Sequence, residues 1–136
     1  MRVVLDTNVL ISGVFFAGAP SEILKAWSDD RFELALSEEI IEEYQRVGEV
    51  LGRRFPGVSL WPILELIVAR ARICLSPRLP EGVCDDPADD KFLACALAGG
   101  ARVIVSGDKA LLRTSGYGGV RVMTPRQFIS LYLEKR

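Results

Sequence analysis

Arg2-Val3-Val4-Leu5-Asp6-Thr7-Asn8 is the stretch that decides the fold. Three apolar residues that stop at an acid read as a strand buried on both faces, the central one of a parallel sheet, meeting a polar loop at its carboxyl end. Working outward, Pro20 opens a helix carrying Ile23, Leu24 and Trp27, and Phe32 to Leu36 is a second strand. Ser37 caps a helix running to about Leu51. Leu60 to Ala71 is apolar over a helical length and leads into a weaker strand, Arg72 to Leu75; residues 76–87, with three prolines, form a loop. Pro87 to Ala98 is helical, closed by Gly99-Gly100 where a left-handed cap is wanted. Arg102 to Val105 is a buried strand, a short helix starts at Asp108, Gly116 to Gly119 turn the chain, Val120 to Met123 is the last strand, and Pro125 to Leu133 the last helix. Strands alternating with helices imply right-handed crossovers and a mainly parallel sheet covered on both faces, with ligands beyond the carboxyl strand ends where strand order reverses. Asp6 and Asp108 stand at such ends.

The 136 residues (15.0 kDa) are 49% apolar and 26% charged, a globular mixture. The length suits one domain spanning 1–136, burying ~68% of the surface its unfolded chain exposes. Histidine is absent, which excludes Ser-His-Asp and Cys-His nucleophile systems, histidine bases and histidine-bearing zinc sites. Cys74, Cys84 and Cys95 are odd in number with no C-x-x-C, so neither a full disulfide framework nor a four-thiolate zinc site is available, and a cytoplasmic setting is expected. Met1 to Phe16 superficially resembles a signal peptide, but Asp6 and Asn8 interrupt it. No apolar run reaches 18 residues, so no membrane span is expected.

The net charge of −1 hides an uneven distribution. Residues 1–49 hold 10 acids against 4 bases, 81–90 hold 5 acids and no base, and 91–136 hold 8 bases against 2 acids. On the helix from Ser37, at ~100° per residue with Ile40 at zero, Tyr44, Val47 and Leu51 form one stripe near ~0°, Glu43 lies on its flank at ~300° and Glu42 faces away at ~200°. Glu43 either looks along the sheet toward the strand ends or is a solvated boundary residue. On the helix after Pro87, with Leu93 at zero and Leu97 near ~40°, Asp86, Asp89 and Asp90 fall at ~20°, ~320° and ~60°, extending the apolar face. Asp86 as N-cap, Pro87 at the first position and Asp89 as an acid favoured by the helix dipole form a structural account of two of the three. It leaves Asp90 in need of a partner, and Lys91 points elsewhere on the wheel. Asp108 can be read as a helix cap and Asp6 as an Asx-turn.

Asp6, Glu43, Asp90 and Asp108 lie on four elements that a parallel sheet brings to one edge. At ~4 Å and an effective dielectric of ~20, each like-charge pair costs up to roughly 4 kcal/mol, so such a cluster protonates or binds cations. An all-oxygen donor set suits Mg²⁺ or Mn²⁺ rather than Zn²⁺, and one or two such ions can activate water and stabilise the leaving oxygen of a phosphodiester. Without these four acids the balance is 17 bases against 14 acids, or +3, and the basic C-terminal third is suited to holding phosphates.

Val4 to Leu10, Ser37 to Tyr44, Asp86 to Leu93 and Val105 to Asp108 together resemble the four acidic motifs of PIN-domain ribonucleases, most nearly the VapC-like toxin components of toxin–antitoxin systems. The resemblance covers nearly the whole chain, through Val122 to Pro125 and Phe128. It implies a three-layer α/β/α sandwich with a central mainly parallel sheet, and Mg²⁺- or Mn²⁺-dependent cleavage of RNA. Asp6, Glu43, Asp90 and Asp108 match the four acids, with Asn8 and Ser106 as supporting polar positions and Asp86 and Asp89 as helpers. Asp6, Asp90 and Asp108 would hold metal, and Glu43 a ligand or the attacking water. The partners implied are RNA and a cognate antitoxin, with a homodimer as a further option and no membrane. Ala110 stands where relatives often carry another acid. Phe15-Phe16 is a candidate for stacking on bases or meeting a partner, and equally for the core.

Three other readings compete. A phosphorylation-dependent receiver domain explains aspartates, a serine and a lysine at strand ends but leaves Glu43 and Asp90 without a role. A phosphatase with Asp6 as nucleophile wants an aspartate where Asn8 stands. A catalytically silent PIN-like module binding RNA or protein would have no reason to tolerate four mutually repelling acids.

Overall fold

The computed structural model describes residues 1–75, 78–80 and 82–134. Five parallel strands, β1 (Arg2–Leu5), β2 (Glu33–Leu36), β3 (Arg72–Ile73), β4 (Val103–Val105) and β5 (Arg121–Met123), form one sheet in the order β3-β2-β1-β4-β5 among the described residues. Among the described residues, seven α-helices flank it as a PIN-like α/β/α sandwich: α1 (Thr7–Phe15), α2 (Ala19–Ser28), α3 (Glu38–Arg54), α4 (Trp61–Arg70), α5 (Asp90–Gly99), α6 (Lys109–Leu112) and α7 (Pro125–Phe128). No single helix is long and apolar enough to cross a membrane among the described residues.

β1 is central, as its sequence requires. Val3, Val4 and Leu5 are fully buried, each stabilising the fold by about 1.5–3 kcal/mol. Val3 pairs with Leu34 on one side, and Val4 and Leu5 with Ile104 and Val105 on the other. The chain runs outward from β1 through β2 to β3, then returns to build β4 and β5, so strand order reverses between β1 and β4. The backbone N–H of Asp6 bonds Val105 O, and that of Ser106 bonds Met123 O, carrying the pairing one residue past both strands and fixing where those side chains emerge.

Three elements differ from the sequence reading. No polar loop follows β1: α1 begins at Thr7, with Val9, Leu10 and Ile11 buried. Asp6 occupies its N-cap position but makes no side-chain capping bond; its carboxylate accepts from Ser106 instead. The helix after Pro87 opens with a 3₁₀ turn, Pro87–Asp89, before α5 proper. α7 is one turn long and continues as a π-helical turn, Ile129–Leu133. The proposed loop 76–87 is irregular at 78–80 and 82–86; residues 76, 77 and 81 lie outside the described part. Gly100 caps α5 at φ 68°, the left-handed geometry its glycine pair announces.

α3 is tied to the sheet at the point that matters. Ser37 Oγ caps it by accepting from Ile40 N–H at 3.4 Å, and its apolar stripe buries Ile40 and Tyr44. The Tyr44 hydroxyl donates to Leu5 O at 2.5 Å, one residue before Asp6. Tyr44→Phe removes this bond within the core and is expected to lower the stability measured by urea unfolding by about 1–3 kcal/mol.

Candidate active site

At the carboxyl end of β1 the chain places a carboxylate where water is nearly excluded: Asp6 is 6% exposed. Its Oδ2 accepts from the hydroxyl of Ser106, itself fully buried, at 2.6 Å, and the same Ser106 Oγ accepts the backbone N–H of Asp108 at 3.0 Å. A single serine thus couples the two acids across the β1–β4 switch point. Burial pushes the Asp6 carboxyl above its ordinary range; the Ser106 and backbone hydrogen bonds oppose this, and the charges of Asp108 and Glu43 add to it. Asp108 Oδ1 also accepts from Ala110 N–H at 3.0 Å, so its role as cap of α6 and its place beside Asp6 coexist.

At the entry to α5, Asp89 and Asp90 each keep one buried carboxylate oxygen without a hydrogen-bond partner, Asp89 Oδ2 and Asp90 Oδ1; of the two, Asp89 is the one whose carboxyl feels the charges of Asp108 and Asp6. Asp89 is 7% exposed, and its Oδ2 is buried with no hydrogen-bond partner. Burial, a hydrogen bond shared with Asp108, and the charges of Asp108, Asp6 and Asp86 raise its carboxyl to about 7. Asp90 turns to the thiol of Cys84 and leaves Oδ1 buried and unpartnered. Burial, the hydrogen bond with Asp90 and the neighbouring acids push that thiol up to about 12. A helical wheel does not choose between Asp89 and Asp90, because Phe92, Leu93, Ala94, Cys95 and Ala96 are all buried and α5 has no single apolar stripe. Asp86 is exposed and caps Ala88 N–H at 3.0 Å, as its structural reading has it.

Glu43 comes to the same edge in a different state. Its Oε1 meets Lys91 Nζ at 2.5 Å and Arg46 at 3.7 Å, while Oε2 accepts from the hydroxyl of Thr7. Burial would raise this carboxyl, but the hydrogen bonds from Lys91 and Thr7 and the charges of Lys91 and Arg46 hold it below its usual value. Glu42 is exposed, as the wheel predicts. Asn8 is also exposed and makes no hydrogen bond recorded among the described residues; the polar residue of this turn that reaches the site is the buried Thr7. Lys91, which the wheel sends elsewhere, reaches Glu43 because a lysine stem spans what a rotation angle does not describe. Thr7 and Lys91 are therefore the two positions that sequence reasoning missed. Phe15 is partly buried and Phe16 exposed, and both lean on Phe55 at the end of α3, with centroids 6.3 and 5.5 Å away.

Among the described residues, no three acidic or cysteine side chains stand close enough to surround one ion as they are. The chemistry of Asp6, Asp89 and Asp108 nevertheless fits a hard divalent cation. All donors are oxygen, and one carboxylate keeps a buried oxygen without a partner. The charge of Asp108 acts on Asp89 and helps raise its carboxyl, so a cation placed between them would relieve repulsion.

A parallel α/β sandwich with acids gathered at its strand-order reversal defines a class of domain, the open α/β folds that place their site beyond the carboxyl ends of the strands. The family follows from comparison: a family model described as PIN domain matches residues 2–110, and the chain belongs to that family, which has a nuclease fold. No curated protein matches the sequence.

The raised carboxyl of Asp89 makes the metal-free fold sensitive to pH. The native state holds this proton up to about pH 7 whereas the unfolded chain releases it near 3.8, so stability falls as pH rises across that window. Asp89→Asn is expected to raise the melting temperature of EDTA-treated protein clearly at pH 8, and progressively less as pH falls toward 4.

Proposed function

We propose that this protein is a Mg²⁺- or Mn²⁺-dependent ribonuclease that hydrolyses RNA phosphodiester bonds, acting in the cytoplasm as the toxin member of a toxin–antitoxin pair. The observation that carries the reading is the meeting of Asp6, Asp89 and Asp108 at the β1–β4 switch point, with a buried Asp89 oxygen left without a partner. Membership of the PIN-domain family supports the nuclease chemistry.

In this reading Asp6, Asp108 and Asp89 hold the ion. Asp90, whose Oδ1 is buried without a partner, is the alternative third ligand that the motif resemblance implies. A bound divalent ion supplies acidification of the attacking water and charge to offset the developing negative charge on the phosphate. The protein's own part is positional. Ser106 fixes the Asp6 carboxylate and the Asp108 backbone together, and Thr7 and Lys91 hold Glu43 at the rim. Of the basic residues in the C-terminal third, Lys109 and Arg126 follow the carboxyl ends of β4 and β5 and would draw the RNA backbone toward this edge, an attraction that weakens with salt, whereas Arg102 and Arg121 stand at the opposite, amino ends. The cognate antitoxin would meet the protein near the same edge. Ala110 contributes to this set only its backbone N–H, which Asp108 Oδ1 accepts.

With contaminating nuclease excluded, Asp6→Asn is expected to cut a single-stranded RNA at background rate while keeping the circular dichroism spectrum of the parent. Cleavage at the parent's rate would end the proposal. Asp89→Asn should cost more activity than Asp90→Asn, and Ser106→Ala should weaken Mn²⁺ affinity by roughly 10–100-fold, as loss of a ligand-orienting partner does.

A further inference from the structure

The four acids expected at this edge divide into two groups of opposite character. Asp6 and Asp108 are coupled through Ser106, which donates to the one and accepts the backbone N–H of the other, and Asp89, whose Oδ2 is buried with no hydrogen-bond partner, feels the charge of both. Glu43 is saturated: Lys91 Nζ lies 2.5 Å from Oε1, Thr7 donates to Oε2, and Arg46 stands 3.7 Å away. The ion pair is shielded, with the Lys91 and Glu43 side chains only 17% and 18% exposed. Parting a shielded pair leaves an uncompensated charge on each partner. A divalent ion competing for Glu43 must therefore displace an ammonium already in contact with it, whereas at Asp89 it meets an oxygen that nothing satisfies.

We infer that the Lys91 ammonium takes the place of a second metal ion in this protein, so that the site binds a single divalent cation at Asp6, Asp89 and Asp108 and Glu43 is a positioning residue rather than a ligand. The inference rests on the metal-dependent reading above and specifies its stoichiometry. Its chemical consequence is that Lys91 and Arg46 together outweigh the Glu43 carboxylate, so the net positive charge this group offers an RNA phosphate is built into the chain and does not depend on metal concentration.

Calorimetric titration with Mn²⁺ alone, without RNA, tests this. The parent protein should bind one ion, and Glu43→Gln should leave the affinity within about threefold of the parent, because a residue that is not a ligand contributes little to it. Lys91→Met should free the carboxylate and add a second, weaker binding event, which the double variant Lys91→Met/Glu43→Gln should lose again. Two ions on the parent protein, a loss of more than about tenfold in Glu43→Gln, the scale expected when metal coordination is disturbed, or a single ion on a folded Lys91→Met would each overturn the inference while leaving the metal-dependent reading intact. If Lys91→Met fails to fold, the Glu43→Gln arm decides alone. Absence of any Mn²⁺ binding to the parent would instead remove the metal-dependent reading itself, and this inference with it.

Discussion

A carboxylate held out of water at the end of the central strand is the constraint on which the rest of this edge depends. Asp6 cannot move away from the sheet, because its backbone N–H belongs to the β1–β4 ladder and its side chain is bonded to a buried serine on the neighbouring strand's extension. Bringing Asp108 and Asp89 toward it accumulates charge in a medium that screens poorly, and the Asp89 carboxyl is pushed up to about 7 in response. At Glu43, on α3, the protein does the opposite and supplies a lysine. The same family of side chains is therefore left reactive in one place and neutralised in another.

Much of the architecture was legible because it follows from burial patterns. A three-residue apolar run ending in an acid specifies a doubly covered strand, and the reversal of strand order beside it follows from the alternation of strands and helices. The stripe through Ile40 and Tyr44 correctly turns Glu43 toward the site and Glu42 to solvent. Gly99-Gly100 marks the end of α5 because the second glycine adopts a left-handed conformation that other residues avoid.

What remained hidden was decided by tertiary neighbours. Asp6 stands at the N-cap of α1 but spends its carboxylate on Ser106 rather than on the helix, and the polar run Asp6-Thr7-Asn8 reads as a loop although the helix starts within it. Asp89 and Asp90 are adjacent acids before a helix buried nearly all round, and only the placement of Asp108 on one side and Cys84 on the other separates them. Thr7 and Lys91 sit beside residues that attract more notice, Asp6 and Asp90, and their roles arise from α3 packing across the strand end. Asn8 shows the converse, since a polar residue in a suggestive motif ends at the surface.

The central claim, that acids from β1, the α5 entry and the β4 end form one cation site, is tested most directly by diffraction from crystals soaked in Mn²⁺, with data collected at the manganese absorption edge. The account predicts one anomalous peak within coordination distance of Asp6 and Asp108, with an Asp89 oxygen turned toward it. A peak away from the β1–β4 switch point, or none in crystals that retain this fold, would contradict it.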